Sequence, residues 1–416
     1  MSAPAGRQGS GASGAGPDNP QERLAGSASQ PTTGPGSPHE SGPASPAITA
    51  PTGGLPYLDA ATVERLVPMG RAVAVLEEAL RAGLDPEATP QRPVVDVAAG
   101  QLLLMPAATR RYAGVKVVSI AFGNPERGLP RIQGTYLLFD GDTLAPLAAL
   151  DGIALTSLRT PAVSALAVRH LAEEGARRLV VFGSGPQAYG HVAALREVRP
   201  VEEVTVVGRD AARAEALAAH CRAQGLTARA LTNREAVPAA PTAAPAADAG
   251  EAAVSRAVMK AGAVDGAVDS AVDSAVDSAV AEVVPVDGAV AEAVAGADLV
   301  ACCTTARTPL FPGKLARDGV TVVAVGSHEP GARELDDDLV ARATVVVEAR
   351  AAALEEAGDL LVPIGRGTIT SRHLAGNLAD LIAGRVVAGP GPRVFKSTGM
   401  AWEDLVVAAA AYEAWT

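Results

Sequence analysis

The segment from Arg177 to Leu195, RRLVVFGSGPQAYGHVAAL, constrains the fold more than any other part of the chain. Its apolar run from Leu179 to Phe182 has the length of a buried strand. A G-x-G-x-x-A turn follows, and then an alanine-rich stretch with a helical pattern. Strand, glycine turn and helix in this order predict the phosphate-binding start of a Rossmann unit.

Each position of this turn has a physical role. A glycine at 183 permits a tight turn, a side chain at Gly185 would block the approach of a pyrophosphate, and the small Ala188 lets the helix pack on the strand. The start of the helix also offers free N–H groups and the positive end of its dipole to an anion. We therefore predict that a dinucleotide is bound by Gly183, Ser184, Gly185, Pro186, Gln187 and Ala188.

The end of the second predicted strand, Glu203 to Val207, bears on which dinucleotide binds. In NAD-binding versions of the fold an acidic residue near this point holds the ribose 2′-hydroxyl, whereas an arginine suits a 2′-phosphate. Here the strand is followed by Gly208-Arg209-Asp210. Arg209 favours NADP(H), and Asp210 leaves NAD(H) open. The alternative interpretation of Arg209 is a solvated turn residue.

The Rossmann pattern continues in three later strand-like runs, 297–303, 320–325 and 343–348. In open α/β sheets, ligands lie beyond the carboxyl ends of the strands. The residues at those ends are predicted to contact the cofactor at Thr304, Thr305, Gly326 and Ser327, with His328 beside them.

Composition excludes several classes of partner. A net charge of −11 and a pI of about 5.1 argue against nucleic acid or an anionic membrane as the main partner. No apolar run approaches the roughly 20 residues that span a bilayer. Cys221, Cys302 and Cys303 lack metal-ligand spacing, so no metal site is expected, and their number fits a reduced, cytoplasmic setting.

The sequence up to residue 365 divides into three segments, and the third contains an insertion. Residues 1–54 are rich in Gly, Pro, Ser and Ala and are predicted to form a disordered tail. Residues 55–175 combine a helix pair with several strand-like runs, and residues 176–365 form the Rossmann domain. Within the latter, residues 237–290 are a low-complexity insertion. Its Ala-Val-Asp repeat has a period of four, which on a helix drifts by about 40° per repeat and gives no single buried stripe.

Several stretches, in one order, resemble the ornithine cyclodeaminase/mu-crystallin family. They are GVKVVSI at 114–120, NPERGLPRIQGTYLLFD at 124–140, DGIALTSLRTPAVSALAVRHLA at 151–172, VFGSGPQA at 181–188, TTARTPLF at 304–311, VGSHEPGARELD at 325–336 and VFKSTGMAWEDL at 394–405. The resemblance implies a homodimer of an α/β chain. One part is a Rossmann-type NAD(P)-binding domain, and the other is a discontinuous α+β substrate and dimerisation domain that residues 366–416 complete.

The resemblance also implies site residues. Lys116 matches the family's active-site lysine, and Arg92 and Arg159 match the arginines that hold the substrate carboxylate. A planar guanidinium grips a carboxylate through two hydrogen bonds, and a nearby lysine can exchange protons with a substrate nitrogen. Taken singly, each would be interpreted as a surface salt-bridge residue. His328 stands where cyclodeaminases carry an acid/base aspartate; imidazole moves protons near neutral pH but does not attract a second ammonium group.

Three hypotheses follow. The first is an NAD(P)-dependent oxidoreductase that acts on the Cα–N bond of an amino acid or a cyclic imine, with Lys116 and His328 managing protons. The second is an ornithine cyclodeaminase, a lyase that forms proline and ammonia without net use of the cofactor. The third is a non-catalytic protein that binds NADPH.

Overall fold

The computed structural model describes residues 54–233 and 285–416, which lie within one compact unit from Thr49 to the C-terminus. Residues 1–53 of the predicted 1–54 tail and residues 237–284 of the predicted 237–290 insertion lie outside the described residues. The last part of that insertion was predicted wrongly. A helix spans Gly288–Gly296, and Val290 within it is fully buried in the core.

One sheet of the described residues is mainly antiparallel. Its order is β1-β6-β5-β4-β3-β2, with only the β1–β6 pair parallel. The strands alternate buried and more exposed positions along much of β4 and β5, as expected of a sheet with one face on a core. They are β1 (Tyr57–Leu58), β2 (Val94–Val97), β3 (Gly100–Ala108), β4 (Tyr112–Ile120), β5 (Ile132–Asp140) and β6 (Pro146–Asp151).

The second sheet is parallel throughout, with the order β13-β12-β14-β11-β10-β7-β8-β9 in the described part of the chain. Its central strands are fully buried runs of Val, Leu and Ala, as both faces of such a sheet are covered. The strands are β7 (Arg178–Phe182), β8 (Glu203–Gly208), β9 (Thr227–Thr232), β10 (Leu299–Cys302), β11 (Thr321–Ala324), β12 (Thr344–Val347), β13 (Leu374–Asn377) and β14 (Arg393–Lys396).

The helices begin at residues suited to capping. Asp59, Asp151, Asp210, Asp287 and Asp336 each accept a hydrogen bond from a backbone N–H of the first turn. The α-helices are α1 (Ala60–Leu66), α2 (Met69–Arg81), α3 (Gly152–Leu171), α4 (Pro186–Arg196), α5 (Ala211–Ala223), α6 (Gly288–Gly296), α7 (Asp337–Arg342), α8 (Arg350–Glu356), α9 (Gly358–Gly365), α10 (Leu378–Ile382) and α11 (Ala401–Trp415).

The predicted fold class is confirmed: a parallel Rossmann-like sheet accompanies a separate mixed sheet. The C-terminal segment differs in one respect from the expected domain division. Residues 366–416 were assigned to the first domain, yet β13 and β14 pair within the parallel sheet, and only α11 packs against the antiparallel strands. The chain therefore crosses between the two sheets at the loop that joins β14 to α11. The remaining domain bounds stay a prediction.

Helix α3 connects the two sheets and packs directly on α4, the helix of the glycine turn. A Cβ at Gly190 would lie 2.9 Å from Cγ of Pro161, so the two helices approach closely at that point. The next residue of α4 is the fully buried His191, whose ring contacts Oγ of Ser164 at 3.0 Å and the Gln187 carbonyl at 2.7 Å. This contact fixes the first turn of α4 against the helix that carries Arg159.

Within the described residues, no helix is both long enough and apolar enough to cross a membrane.

Candidate active site

The carboxyl ends of the parallel strands meet at one edge of the sheet, and every predicted cofactor residue lies there. β7 leads into Gly183, β10 into Thr304, and β11 into Gly326. At the same edge β12 is followed by Glu348 and β14 by the loop from Ser397 to Gly399. Ligands of doubly wound sheets bind in the crevice at this edge.

The glycine turn has the geometry that dinucleotide binding requires. Gly183 has φ +113°, and a Cβ there would lie 2.5 Å from the Cys303 carbonyl oxygen, so only glycine fits. Gly185 precedes α4, and a Cβ on it would meet nothing within 4 Å of the protein. The space beside Gly185 is thus left open at the positive end of the helix. Pro186 occupies the first helical position, and Ala188 is fully buried.

A shallow cavity of about 280 Å³ lies beside this turn. It is lined by Ser184, Gly185, Pro186, Tyr189, Arg213 and Ala216. Arg213 belongs to the first turn of α5, and both Arg209 and Arg213 are exposed. The Asp210 side chain accepts the Arg213 N–H at 3.1 Å, so it serves as the cap of α5. Arg213 was missed at the sequence level because its distance from Ser184 is set by the packing of α5.

Glu334 holds together the two loops beyond β10 and β11. Its carboxylate accepts hydrogen bonds of 2.8 Å from the backbone N–H and the hydroxyl of Thr304, and of 2.8 Å from the N–H of Gly326. The Ser327 hydroxyl is buried and donates to the Ala332 carbonyl, so it is turned away from the crevice. Thr305 is exposed. Of the predicted residues at these two loops, Ser327 could contact a cofactor only through its backbone.

Lys116 is almost completely buried on β4. Its Nζ donates to both carboxylate oxygens of Asp404, at 2.9 and 2.8 Å, and to the hydroxyl of Thr156 at 3.0 Å. Burial lowers the pKa of the Lys116 ammonium to about 8, although the carboxylate of Asp404 opposes the shift. The group is therefore still charged at neutral pH but close to releasing its proton, which suits a proton donor or acceptor.

Arg159 lies on α3 and is buried among carboxyl groups. Its Nε donates to Asp404 at 3.3 Å and its Nη1 to Glu403 at 2.8 Å. The Gly399 backbone, with φ +77°, packs against the guanidinium; a Cβ there would lie 2.6 Å from Nη1. Residue 399 must therefore lack a side chain for Arg159 to occupy its place.

Arg92 contacts the same loop. Its Nη1 donates to the carbonyls of Thr398 and Gly399, at 3.3 and 2.9 Å, and its Nη2 pairs with Glu356 of α8. Arg92 and Arg159 thus both lie next to Gly399. The structure brings together the three cations that the sequence singled out, although they are up to 67 residues apart in the chain.

His328 completes the group at the mouth of the crevice. Its side chain is accessible to solvent, yet the surrounding protein partly desolvates the ring. This desolvation, together with the charges of Arg92 and Lys396, lowers the pKa of His328 below its ordinary value, while Glu329 opposes the shift. The imidazole is neutral at neutral pH and offers one donor and one acceptor nitrogen.

The acidic partners of these cations were missed from the sequence. They are Glu348, Glu356, Glu403 and Asp404. One signal was present: Glu403 and Asp404 are adjacent charges in AWEDLVVAAAAYEAW, a helix that is otherwise almost entirely apolar up to Glu413. Charges in such a helix are buried only if they are paired. Among the described residues, no cluster of His, Cys, Asp and Glu has the arrangement of a metal site.

The sequence profile of the ornithine cyclodeaminase/mu-crystallin family matches residues 57–268 and 263–416. The chain belongs to this family. The predicted family and enzyme class, an NAD(P)-dependent oxidoreductase acting on a carbon–nitrogen bond, are confirmed.

Characterised relatives of this chain include reductases and a dehydrogenase. A Delta(1)-pyrroline-2-carboxylate reductase of Bacillus cereus is 32% identical over 75% of this chain and 80% of the relative. Ketimine reductase mu-crystallin of Rattus norvegicus is 32% identical over 79% of this chain and 85% of the relative. The solved structure of Thermococcus litoralis Delta(1)-pyrroline-2-carboxylate reductase with NADH and L-proline has a TM-score of 0.68 and 26% identity. The match covers 86% of this chain and 97% of the reductase chain. An archaeal alanine dehydrogenase dimer with bound NAD also has a TM-score of 0.68 and 26% identity, and covers 86% and 95%.

Proposed function

We propose that this protein is a reductase of cyclic ketimines that carry a carboxylate on the imine carbon, the class to which Delta(1)-pyrroline-2-carboxylate belongs. The observation that carries the proposal is the convergence of Lys116, Arg159 and Arg92 beside the Gly399 loop at the carboxyl edge of the parallel sheet. Two guanidinium groups can hold a small carboxylate, and the ammonium of Lys116 can serve the adjacent nitrogen.

The residues at the glycine turn fit a nicotinamide dinucleotide. The open space at Gly185 and the start of α4 suit a pyrophosphate, and the adjoining cavity reaches Arg213. The cofactor, when bound, supplies the hydride that the imine carbon accepts. On the protein side, Gly183 to Ala188 would hold the dinucleotide, and Thr304, Thr305, Gly326 and the Ser327 backbone would line its course along the edge of the sheet.

The protein's own part in the reaction is to orient the substrate and to move one proton. Arg92 and Arg159 orient the substrate by its carboxylate. Lys116 holds a proton on Nζ, and its pKa of about 8 lets it give that proton to the imine nitrogen at neutral pH. Asp404 and Thr156 fix the direction of Nζ. The neutral imidazole of His328 can accept or relay a proton at the solvent side.

A turnover screen tests the proposal against its competitors. Cyclic ketimine carboxylates, 2-oxo acids with ammonia or amines, and ornithine are each supplied with NADPH or NADH. Net oxidation of the cofactor with a cyclic ketimine supports the reductase. Proline and ammonia from ornithine without net change in the cofactor would identify a cyclodeaminase instead. Cofactor binding without turnover of any substrate would favour a non-catalytic binding protein.

We further propose that NADP(H) is preferred over NAD(H). Arg209 and Arg213 both lie where α5 begins, Arg213 lines the cavity beside the glycine turn, and one oxygen of Asp210 is used as the helix cap. Each of Arg209→Ala and Arg213→Ala is expected to weaken NADPH binding on the order of tenfold. NADH binding should change far less, and dissociation constants measured by fluorescence give the ratio. Equal losses for the two cofactors would remove the preference.

We also propose a homodimer formed through the antiparallel sheet. Several apolar side chains on its edge strand and on the β4–β5 side are exposed, although large exposed apolar patches are uncommon on monomers. They are Val94, Val95, Val97, Phe122 and Ile132, each 38–51% exposed. An alanine dehydrogenase of similar fold is a dimer. Val95→Glu combined with Ile132→Glu should shift the protein to a monomer in sedimentation experiments; a parent protein that is itself monomeric would contradict the proposal.

A further inference from the structure

Two adjacent carboxyl groups at the start of α11 face the same cations in different surroundings. Asp404 accepts three hydrogen bonds from charged donors, two from Lys116 and one from Arg159. Glu403 accepts one, from Nη1 of Arg159 to Oε2 at 2.8 Å. Its other oxygen, Oε1, is buried and has no hydrogen-bond donor among the described residues. An ionised Glu403 would thus leave half of its charge without a partner in a site that excludes water.

The side chain of Glu348, which follows β12, is a second carboxyl group close enough to Glu403 to interact with it. Glu348 accepts three hydrogen bonds: from the hydroxyl of Ser397 at 2.6 Å, and from the N–H groups of Thr398 and Gly399 at 2.9 and 2.7 Å. These three donors fix the position of the Glu348 carboxylate. Two carboxylates in hydrogen-bond contact cannot both be charged at low cost, whereas one proton between them forms an O–H···O⁻ bond.

Burial and the charges around Glu403 also favour its protonated, neutral form. Burial is the largest cause that raises the pKa of Glu403 well above its ordinary value, and Glu348 and Asp404 add to it. Arg159 opposes the shift but is shared with Asp404. The charged groups around Glu403 come from five elements or loops: Arg92 before β2, Lys116 on β4, Arg159 on α3, Glu348 after β12, and Asp404 on α11 itself.

We infer that Glu403 works as a neutral carboxylic acid, hydrogen-bonded to Glu348, which positions Arg159 without neutralising it. The inference rests on the proposed role of Arg159 in holding the substrate carboxylate. The charged site residues are then Arg92, Lys116 and Arg159 against Glu348, Glu356 and Asp404, three positive and three negative. A charged Glu403 would add a fourth negative group and compete with the substrate for the Arg159 guanidinium.

If Glu403 is a neutral acid, replacing the carboxyl group by an amide should have different effects at Glu403 and at Asp404. Replacing Glu403 by glutamine keeps an oxygen for Arg159 and supplies an N–H donor for Glu348, so it reproduces the neutral acid. Replacing Asp404 by asparagine removes the counter-charge of Lys116 and Arg159 and supplies a donor that faces two cations. The neutral state of Glu403 also predicts that raising the pH ionises it and weakens the binding of carboxylate ligands.

Infrared spectroscopy of the full chain tests the protonation state directly. With ¹³C-labelled glutamate, the parent at neutral pH should show the carbonyl band of a protonated carboxylic acid, and Glu403→Gln should lose the intensity that Glu403 contributes. Burial also raises the pKa of Glu334, so the difference spectrum between parent and variant isolates the Glu403 band. That difference band should persist well above the pH at which ordinary glutamates ionise. Its absence would overturn the inference whether or not the protein is a ketimine reductase.

Ligand binding tests the role of the neutral acid. L-Proline binding to the NADPH-loaded enzyme is measured by calorimetry from pH 6.5 to 9.5 (roughly the range around the Lys116 pKa). Glu403→Gln should change the dissociation constant at neutral pH by less than about threefold and flatten its rise at alkaline pH, leaving the part due to Lys116. Asp404→Asn should weaken binding on the order of a hundredfold. A Glu403→Gln variant as impaired as Asp404→Asn would show that Glu403 is needed as an anion. Failure of the parent to bind L-proline would count against the proposed function, while the infrared result would still decide the protonation state.

Discussion

The two halves of the site are built in different ways. The cofactor half consists largely of backbone from one continuous segment, Gly183 to Ala188, with its shape fixed by a left-handed glycine and the start of a helix. The substrate half consists of side chains whose hydrogen bonds join residues more than 240 positions apart, such as Lys116 to Asp404 and Arg159 to Glu403. We propose that one half binds its ligand through exposed N–H groups and the other through charges withdrawn from water.

This difference determines how each half responds to change. A backbone site depends on the space around it, so it is sensitive to added atoms and tolerant of altered charge. In a buried cluster of charges each member needs a partner, so removing one member leaves another buried charge uncompensated. The two halves should therefore be separable by mutation.

Lys116→Met should have the largest effect. It removes the proposed proton donor and leaves Asp404 with only Arg159 as a charged partner. We expect kcat to fall by on the order of 10²–10⁴ and the free energy of unfolding to fall by about 3–5 kcal/mol. NADPH affinity should stay within about threefold, since the glycine turn is untouched. Steady-state turnover, thermal unfolding and fluorescence titration measure the three quantities, and an equal loss of cofactor binding would show that the halves are coupled.

Gly185→Ala and Gly183→Ala form a matched pair within the cofactor half. Gly185 has φ −90° and open space around it, so its Ala variant should fold with an unchanged melting temperature but lose NADPH affinity on the order of tenfold or more. Gly183 is left-handed and touches the Cys303 carbonyl, so its Ala variant should also lose about 1–3 kcal/mol of stability. If Gly185→Ala bound NADPH normally, the pyrophosphate would have to lie elsewhere.

The pH dependence of the free energy of unfolding should report on His191, which lies at the contact between α3 and α4. Burial lowers its pKa to about 4 in the folded protein, against about 6.5 unfolded, so the folded state disfavours the charged ring. The neutral His191 ring therefore makes its full contribution to the free energy of unfolding above pH 6.5. As the pH falls towards 4, the free energy of unfolding decreases by about 3 kcal/mol in total. Denaturant unfolding between those pH values should show this slope. In His191→Gln the slope should decrease, and a variant with the same slope as the parent would exclude His191 as its source.

Ser164→Ala should have the smallest effect. It removes one neutral hydrogen bond to the His191 ring at the contact between α3 and α4. A loss of about 1 kcal/mol is expected, with unchanged kcat. A large fall in kcat would mean that α3 transmits strain from the cofactor half to Arg159.

Much of this organisation follows from local sequence. Alternation and apolar runs predicted the strands of both sheets except β1, β9, β13 and β14, and VFGSGPQA predicted the turn, because a backbone conformation depends on neighbouring residues. The strand Leu374–Asn377 was missed because LAGN has no apolar run, and it is ordered by pairing with β12. The first residues of the helix at 288–296, up to residue 290, were assigned to the insertion because their alanine and valine continue the composition of the repeats.

From the residues alone came most of the helices and strands, the glycine turn, the family and the three cations proposed to hold the substrate. The carboxyl groups that those cations meet, and the protonation state inferred for Glu403, depend on the packing of the whole chain. The physical reason is that Glu403 and Asp404 are neighbours of similar chemistry, and nothing local separates them. Their difference arises from Lys116 on β4 and Glu348 after β12, which reach the two side chains only once both sheets and α11 have packed together.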